Sequence, residues 1–112
     1  MTNFTVRNKS YNCYIAFTLG FIGGKWKTLI LWNLIDSKKR FGELRKIIPD
    51  CSQRMLTRQL RELEQDGIVA RKIYKQIPPK VEYSLTPEGK TLTPILRLAC
   101  NWGTKRANVM TK

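Results

Sequence analysis

Apolar side chains recur along the first two thirds of the chain at spacings of three and four residues. The spacing then switches to every second residue before returning to three and four. Cys13 to Phe21 has mixed apolar character and predicts a short helix, closed by Gly23-Gly24. Lys25 to Ile35 is apolar nearly all round (Trp26, Leu29, Ile30, Leu31, Leu34), as expected of a central buried helix. A polar, basic connection over Asp36 to Arg40 follows. Phe41, Leu44, Ile47 and Ile48 then return at helical spacing until Pro49 ends that helix. Pro49-Asp50-Cys51 predicts a tight turn. At about 100° per residue, Ser52 to Asp66 separates into two faces. Leu56, Leu60 and Leu63 form a narrow stripe, and Arg54, Arg58 and Arg61 lie nearly opposite. Ser52 is a good N-cap and Gly67 a good residue just past the end.

Beyond Gly67 the period becomes two. Val69, Arg71, Ile73, Lys75 and Ile77 alternate with Ala70, Lys72, Tyr74 and Gln76, and Val81, Tyr83 and Leu85 continue after Pro78-Pro79. Two strands joined through a proline-containing turn predict a hairpin. Its tip is basic, with Lys75, Gln76 and Lys80. Thr86-Pro87-Glu88 caps a further helix with proline at its first position. That segment carries a stripe of Leu92, Ile95, Leu96, Ala99 and Trp102, and Pro94 should kink or split it. A short helix, a three-residue turn, a longer helix with a basic outer face and a hairpin make a winged helix-turn-helix. The expected fold is therefore mainly α with a small β-hairpin. Residues 1–10 are expected as a loose arm, and 11–112 as one domain.

Composition narrows the partners. The chain has 112 residues, enough for one core and not two. Lys and Arg number 21 against 8 Asp and Glu, a net charge of +13. Such an excess repels itself, so a polyanion is the natural partner: nucleic acid first, an anionic membrane surface second. With 42% hydrophobic residues arranged periodically, the chain is not disordered. No run approaches the roughly 18 apolar residues of a transmembrane helix, and the polar N-terminus lacks a signal-peptide core, so an intracellular protein is expected. The three cysteines are odd in number and widely spaced, which fits a reducing compartment. There is no histidine and no Cys-x-x-Cys pair. Common zinc sites and Ser-His or Cys-His catalytic arrangements are thereby absent, so neither an enzyme nor a bound cofactor is expected.

Within this frame the arginine-bearing helix is the candidate reading surface. Guanidinium forks match phosphates and guanine edges, and a glutamine can read adenine. An ordinary solvated face would carry the same charges. The surrounding helix-turn-helix, the basic hairpin tip and the net charge favour DNA. The competing reading is a basic RNA- or ribosome-associated protein on the same scaffold. It needs exposed aromatics for stacking, and the hairpin offers only Tyr74 and Tyr83.

Several segments are more specific. They are Ile22-Gly23-Gly24-Lys25-Trp26, Arg40-Phe41-Gly42-Glu43-Leu44, Met55-Leu56-Thr57 with Leu60-Arg61-Glu62-Leu63-Glu64, Val81-Glu82-Tyr83-Ser84-Leu85-Thr86, Pro94-Ile95-Leu96 and Trp102-Gly103. Together, from about Cys13 to Gly103, they resemble the HxlR-type branch of the MarR-like winged-helix transcription regulators. The resemblance implies a bacterial, cytoplasmic, homodimeric regulator that binds double-stranded operator DNA; the apolar surface on Leu92, Ile95, Leu96, Ala99 and Trp102 places the dimerisation helices at both ends of the domain. It places the recognition positions on Gln53, Arg54, Thr57, Arg58 and Arg61. The wing falls on Ile73 to Val81, with Lys75 and Lys80 at the DNA. It also implies a sensing role for Cys13, the position at which many relatives carry a cysteine that reacts with oxidants or electrophiles. Two departures stand out. Tyr14 replaces the proline usual after that cysteine, and the turn reads Pro49-Asp50-Cys51 where Pro-Gly-Ile is usual. Asp50 would then take up the left-handed conformation that glycine supplies.

The cysteines have separate readings. Cys13 lies near a predicted helix start in a basic chain, both of which favour reactivity; the alternative is a small buried hydrophobe. Cys51 can staple the Arg helix by packing on Leu56, or serve as a second redox thiol across the dimer. Cys100 falls on the last apolar stripe, as core or interface. Trp26, Trp32 and Trp102 are expected as core and dimer anchors.

Overall fold

A computed structural model of the protein describes residues 3–111. It is a mainly helical winged helix-turn-helix with two small antiparallel sheets. A first hairpin, β1 (Phe4–Val6) and β2 (Lys9–Tyr11), leads into α1 (Tyr14–Ile22) and α2 (Lys25–Leu34). β3 (Lys39–Arg40) precedes the helix pair α3 (Phe41–Ile47) and α4 (Gln53–Gln65). The wing is β4 (Val69–Tyr74) and β5 (Lys80–Leu85), followed by α5 (Pro87–Lys90) and α6 (Thr93–Met110).

The N-terminal segment differs from the expected loose arm. Phe4 pairs with Tyr11 and Val6 with Lys9 across a turn in which Arg7 and Asn8 both have positive φ, 52° and 63°. Asn is among the residues that tolerate this conformation, and two positive φ values match the twist of a tight hairpin. The hairpin is held by aromatic rings. Phe4 stacks on Tyr14 with centroids 4.3 Å apart, and Phe17 meets both Phe4 and Tyr11 edge-on. Met1 and Thr2 lie outside the described residues.

The connection over Asp36 to Arg40 also contains more order than expected. Lys39 and Arg40 add a third strand to the wing, giving the order β3-β5-β4, with Lys39 opposite Tyr83 and Arg40 opposite Glu82. Two residues carry too little alternation to announce a strand. α3 starts where the Arg40 amide donates to the Glu43 carboxylate, 2.9 Å away. In the turn after it, the Cys51 amide donates to the Ile48 carbonyl at 3.1 Å. Among the described non-glycine residues positive φ occurs only at Arg7 and Asn8, so Asp50 does not adopt the expected left-handed backbone.

The core gathers Ile30, Leu31 and Leu34 of α2, Leu44 of α3, Leu56, Leu60 and Leu63 of α4, and Val69 and Leu85 of the wing. Each fully buried leucine contributes roughly 1.5–3 kcal/mol before chain entropy is set against it. Gly67, at φ +74°, turns the chain from α4 into β4. Gly89 lies so close to the Ile68 carbonyl that any side chain there would collide with backbone, which lets α5 pack on the start of the wing. Pro94 stands in the first turn of α6, splitting the last apolar segment into two helices instead of kinking one.

Candidate nucleic-acid interface

α4 begins at Ser52, whose hydroxyl accepts the Met55 amide at 3.1 Å. This cap sets the helical phase. Leu56, Leu60 and Leu63 turn into the core, and Arg54, Arg58 and Arg61 turn outward and are exposed. α3 braces the start of the helix, with an Arg45 guanidinium nitrogen donating to the Gln53 side-chain oxygen at 3.4 Å. α2 braces the middle through Lys27 and Glu62, 3.3 Å apart. The arginines line a shallow groove of about 440 Å³ along the helix, together with Thr57 and Gln65. Thr57 is half-buried, and its hydroxyl donates to the Gln53 carbonyl at 2.9 Å. A smaller groove between Thr57, Arg61, Arg71 and Tyr83 joins the helix to the sheet, where Arg71 lies 3.7 Å from Glu64.

The two wing lysines singled out from the sequence occupy different settings. Lys75 is exposed beyond the end of β4, in the tip that contains the cis Ile77-Pro78 peptide. Lys80 is half-buried, with its ammonium 3.4 Å from Glu82 and 4.9 Å from the centre of the Tyr74 ring. Lys72 lies 4.8 Å from the same ring, so Tyr74 is flanked by two cations. Tyr83 is half-buried against the core, and burial pushes its hydroxyl pKa up. Neither tyrosine is an open stacking surface. Sequence reasoning missed Lys38 and Glu82. Lys38, in the segment before β3, reaches to 3.3 Å from the Glu82 carboxylate, and the Tyr74 hydroxyl and then Lys38 hold that carboxyl below its usual range against the opposing effect of burial. A glutamate on an alternating strand reads as a solvated position, and no local pattern reveals that it is covered.

The cysteines also separate. Cys13 is half-buried and is the N-cap residue of α1, with its carbonyl accepting the Phe17 amide at 3.1 Å. Cys51 is only 2% exposed, packed in the core that contains Leu56, and burial pushes its thiol pKa up. Cys100 is exposed on α6. The described residues contain no cluster of metal-ligating side chains and no helix long and apolar enough to cross a membrane.

A capped helix with a continuous arginine face, braced on two helices and followed by a three-stranded wing, is matched by one family model. The HxlR-like helix-turn-helix family matches residues 21–111. The chain belongs to this family. Its relatives include the uncharacterised HTH-type transcriptional regulator YdeP of Bacillus subtilis strain 168. YdeP is 58% identical over 93 residues, which cover 83% of this chain and 73% of YdeP. Among solved structures, the oxidised form of the redox regulator HypR superposes with a TM-score of 0.81 at 58% identity, covering 83% of this chain and 96% of that one. The reduced form of HypR gives 0.85 at 55% identity, covering 88% and 98%. As a member of this family, and like YdeP, the protein is a helix-turn-helix transcriptional regulator and not an enzyme.

Proposed function

We propose that this HxlR-family regulator binds double-stranded operator DNA as a cytoplasmic homodimer, with α4 in the major groove. The exposed row of Arg54, Arg58 and Arg61 opposite three buried leucines carries this reading. Gln53 and Arg54 near the helix start, with Arg58 and Arg61 beyond them, supply base and phosphate contacts. Lys75 contributes from the wing tip. Thr57, bonded to its own helix, lends a methyl and shape rather than a free hydroxyl. Affinity comes largely from counterion release by the basic surface, and discrimination from the forks.

The dimer would use the outer helices. Tyr14, Ile15 and Leu19 of α1, with Ile95, Leu98 and Trp102 of α6, are exposed in the single chain, Trp102 by 70%. Exposed apolar side chains of this size on a small domain are what a symmetric partner would cover. Cys13, at the head of α1 beside that surface, is the proposed thiol sensor, in line with the similarity to a regulator solved in reduced and oxidised forms. The burial of Cys51 supports a packing role for it rather than a second sensing thiol. Competition between duplex DNA and single-stranded RNA, with solution mass measured alongside, tests the reading. Preference for RNA, or a mass equal to one 13.1 kDa chain at micromolar concentration, would overturn it.

A further inference from the structure

Glu82 is an unusual residue for this chain. It is one of 8 acidic residues among 21 basic ones, yet it is only 9% exposed, in the middle strand of the wing sheet. Arg40 of β3 and Lys72 of β4 stand directly opposite it on either side. Lys38 lies 3.3 Å from one carboxylate oxygen and Lys80 3.4 Å from the other. The first of these oxygens accepts no hydrogen bond of good geometry, so its compensation is the ion pair with Lys38. Removing a carboxylate from water is expensive, and a neutral side chain would close the same strand without that penalty. What the carboxylate adds is order among cations. Arg40, Lys72 and Lys80 occupy neighbouring register positions with Lys38 beside them, and like charges facing one another across strands repel. Four cations around one carboxylate leave a net charge of 4 − 1 = +3 at the root of the wing. Lys38 is 59% exposed and keeps donors free for another anion.

We infer that Glu82 is a positioning residue that holds Lys38 and Lys80 as a second phosphate-binding patch, for DNA backbone outside the segment read by α4. The inference rests on the DNA-binding reading above and extends its footprint to the segment between α2 and β3. The patch is continuous with the recognition surface, because the same sheet meets α4 through Arg71 and Glu64.

The test exploits opposite signs. Glu82→Gln raises the net charge from +13 to +14, so bulk attraction alone predicts tighter DNA binding. Positioning predicts several-fold weaker binding of a fluorescent mixed-sequence duplex, and a shallower dependence of affinity on salt. Lys38→Ala should lower the salt slope by about 0.9, the value of one lost phosphate contact. Adding Lys38→Ala to Glu82→Gln should change little further. Circular dichroism establishes that each variant is folded. If Glu82→Gln does not fold, Lys38→Ala and Lys38→Met, altered at an exposed side chain, carry the decision through the slope. Tighter binding by folded Glu82→Gln, or an unchanged slope in the Lys38 variants, overturns the inference while DNA binding by the native chain stands. A native chain that binds no duplex removes both readings.

Discussion

The Arg7 guanidinium lies 2.6 Å from the Asp66 carboxylate, tying the turn of the N-terminal hairpin to the C-terminal end of α4. Arg7 is exposed and Asp66 largely covered, and 59 residues separate them in sequence. The contact joins the segment that ends at Cys13 to the helix that carries the arginine row. Partly exposed pairs of this kind contribute roughly 0.2–1 kcal/mol. Arg7→Ala is expected to lower stability within that range. The difference from the native chain should shrink at high salt, where the attraction is screened. Thermal unfolding of both proteins at low and high salt checks this.

Arg58 lies mid-way along the outward face of α4, one turn from both Arg54 and Arg61. Arg58→Ala is expected to weaken operator binding by roughly 1–3 kcal/mol and to relax discrimination between sites. Genomic fragments selected by the native chain provide the operators. Unchanged affinity and unchanged site preference would remove α4 from the reading role.

Oxidation is expected to change DNA affinity through Cys13. A bulky adduct at the head of α1 would disturb the stack of Phe4, Tyr14 and Phe17 and the apolar surface beside it. A homodimer must hold its recognition helices at a spacing of about 34–36 Å, so a small shift is felt as lost affinity. DNA titrations before and after oxidant should show a response in the native chain and in Cys51→Ser, and none in Cys13→Ser. Equal responses in the native chain and Cys13→Ser would sink the sensing role.

Glu82 makes stability depend on acid. Its folded carboxyl titrates below the ordinary value of 4.5, chiefly because of the Tyr74 hydroxyl and then Lys38. A depressed carboxyl contributes stability that is present above the unfolded value and lost as pH falls through the folded one. Below about pH 4.5, stability of the native chain should therefore fall more steeply with acid than that of Glu82→Gln. Denaturant unfolding as a function of pH measures the two slopes, and parallel slopes would contradict the assignment.

Periodicity and punctuation were enough to read α1, α2, the α3–α4 pair, the wing and the start of α5. These elements are specified locally. Ser52 caps, Gly67 reverses the chain, and the leucine row at three- and four-residue spacing is buried on one face only in a helix of that phase. The arginine face was legible for the same reason, because burying one side of a helix exposes the other. Tertiary structure alone decided the rest. The first hairpin depends on rings of α1 that Phe4 meets only after folding, and β3 exists because β5 offers it an open edge. Lys80 looked like a free DNA contact, but its ammonium meets Glu82, two residues along the same strand, whose carboxylate is covered once β3 and β4 pair on either side. The burial of Cys51 and the exposure of Trp102 are likewise properties of the packed molecule. A side chain's type follows from the sequence, but its electrostatic neighbours and its share of solvent depend on which distant segments fold over it.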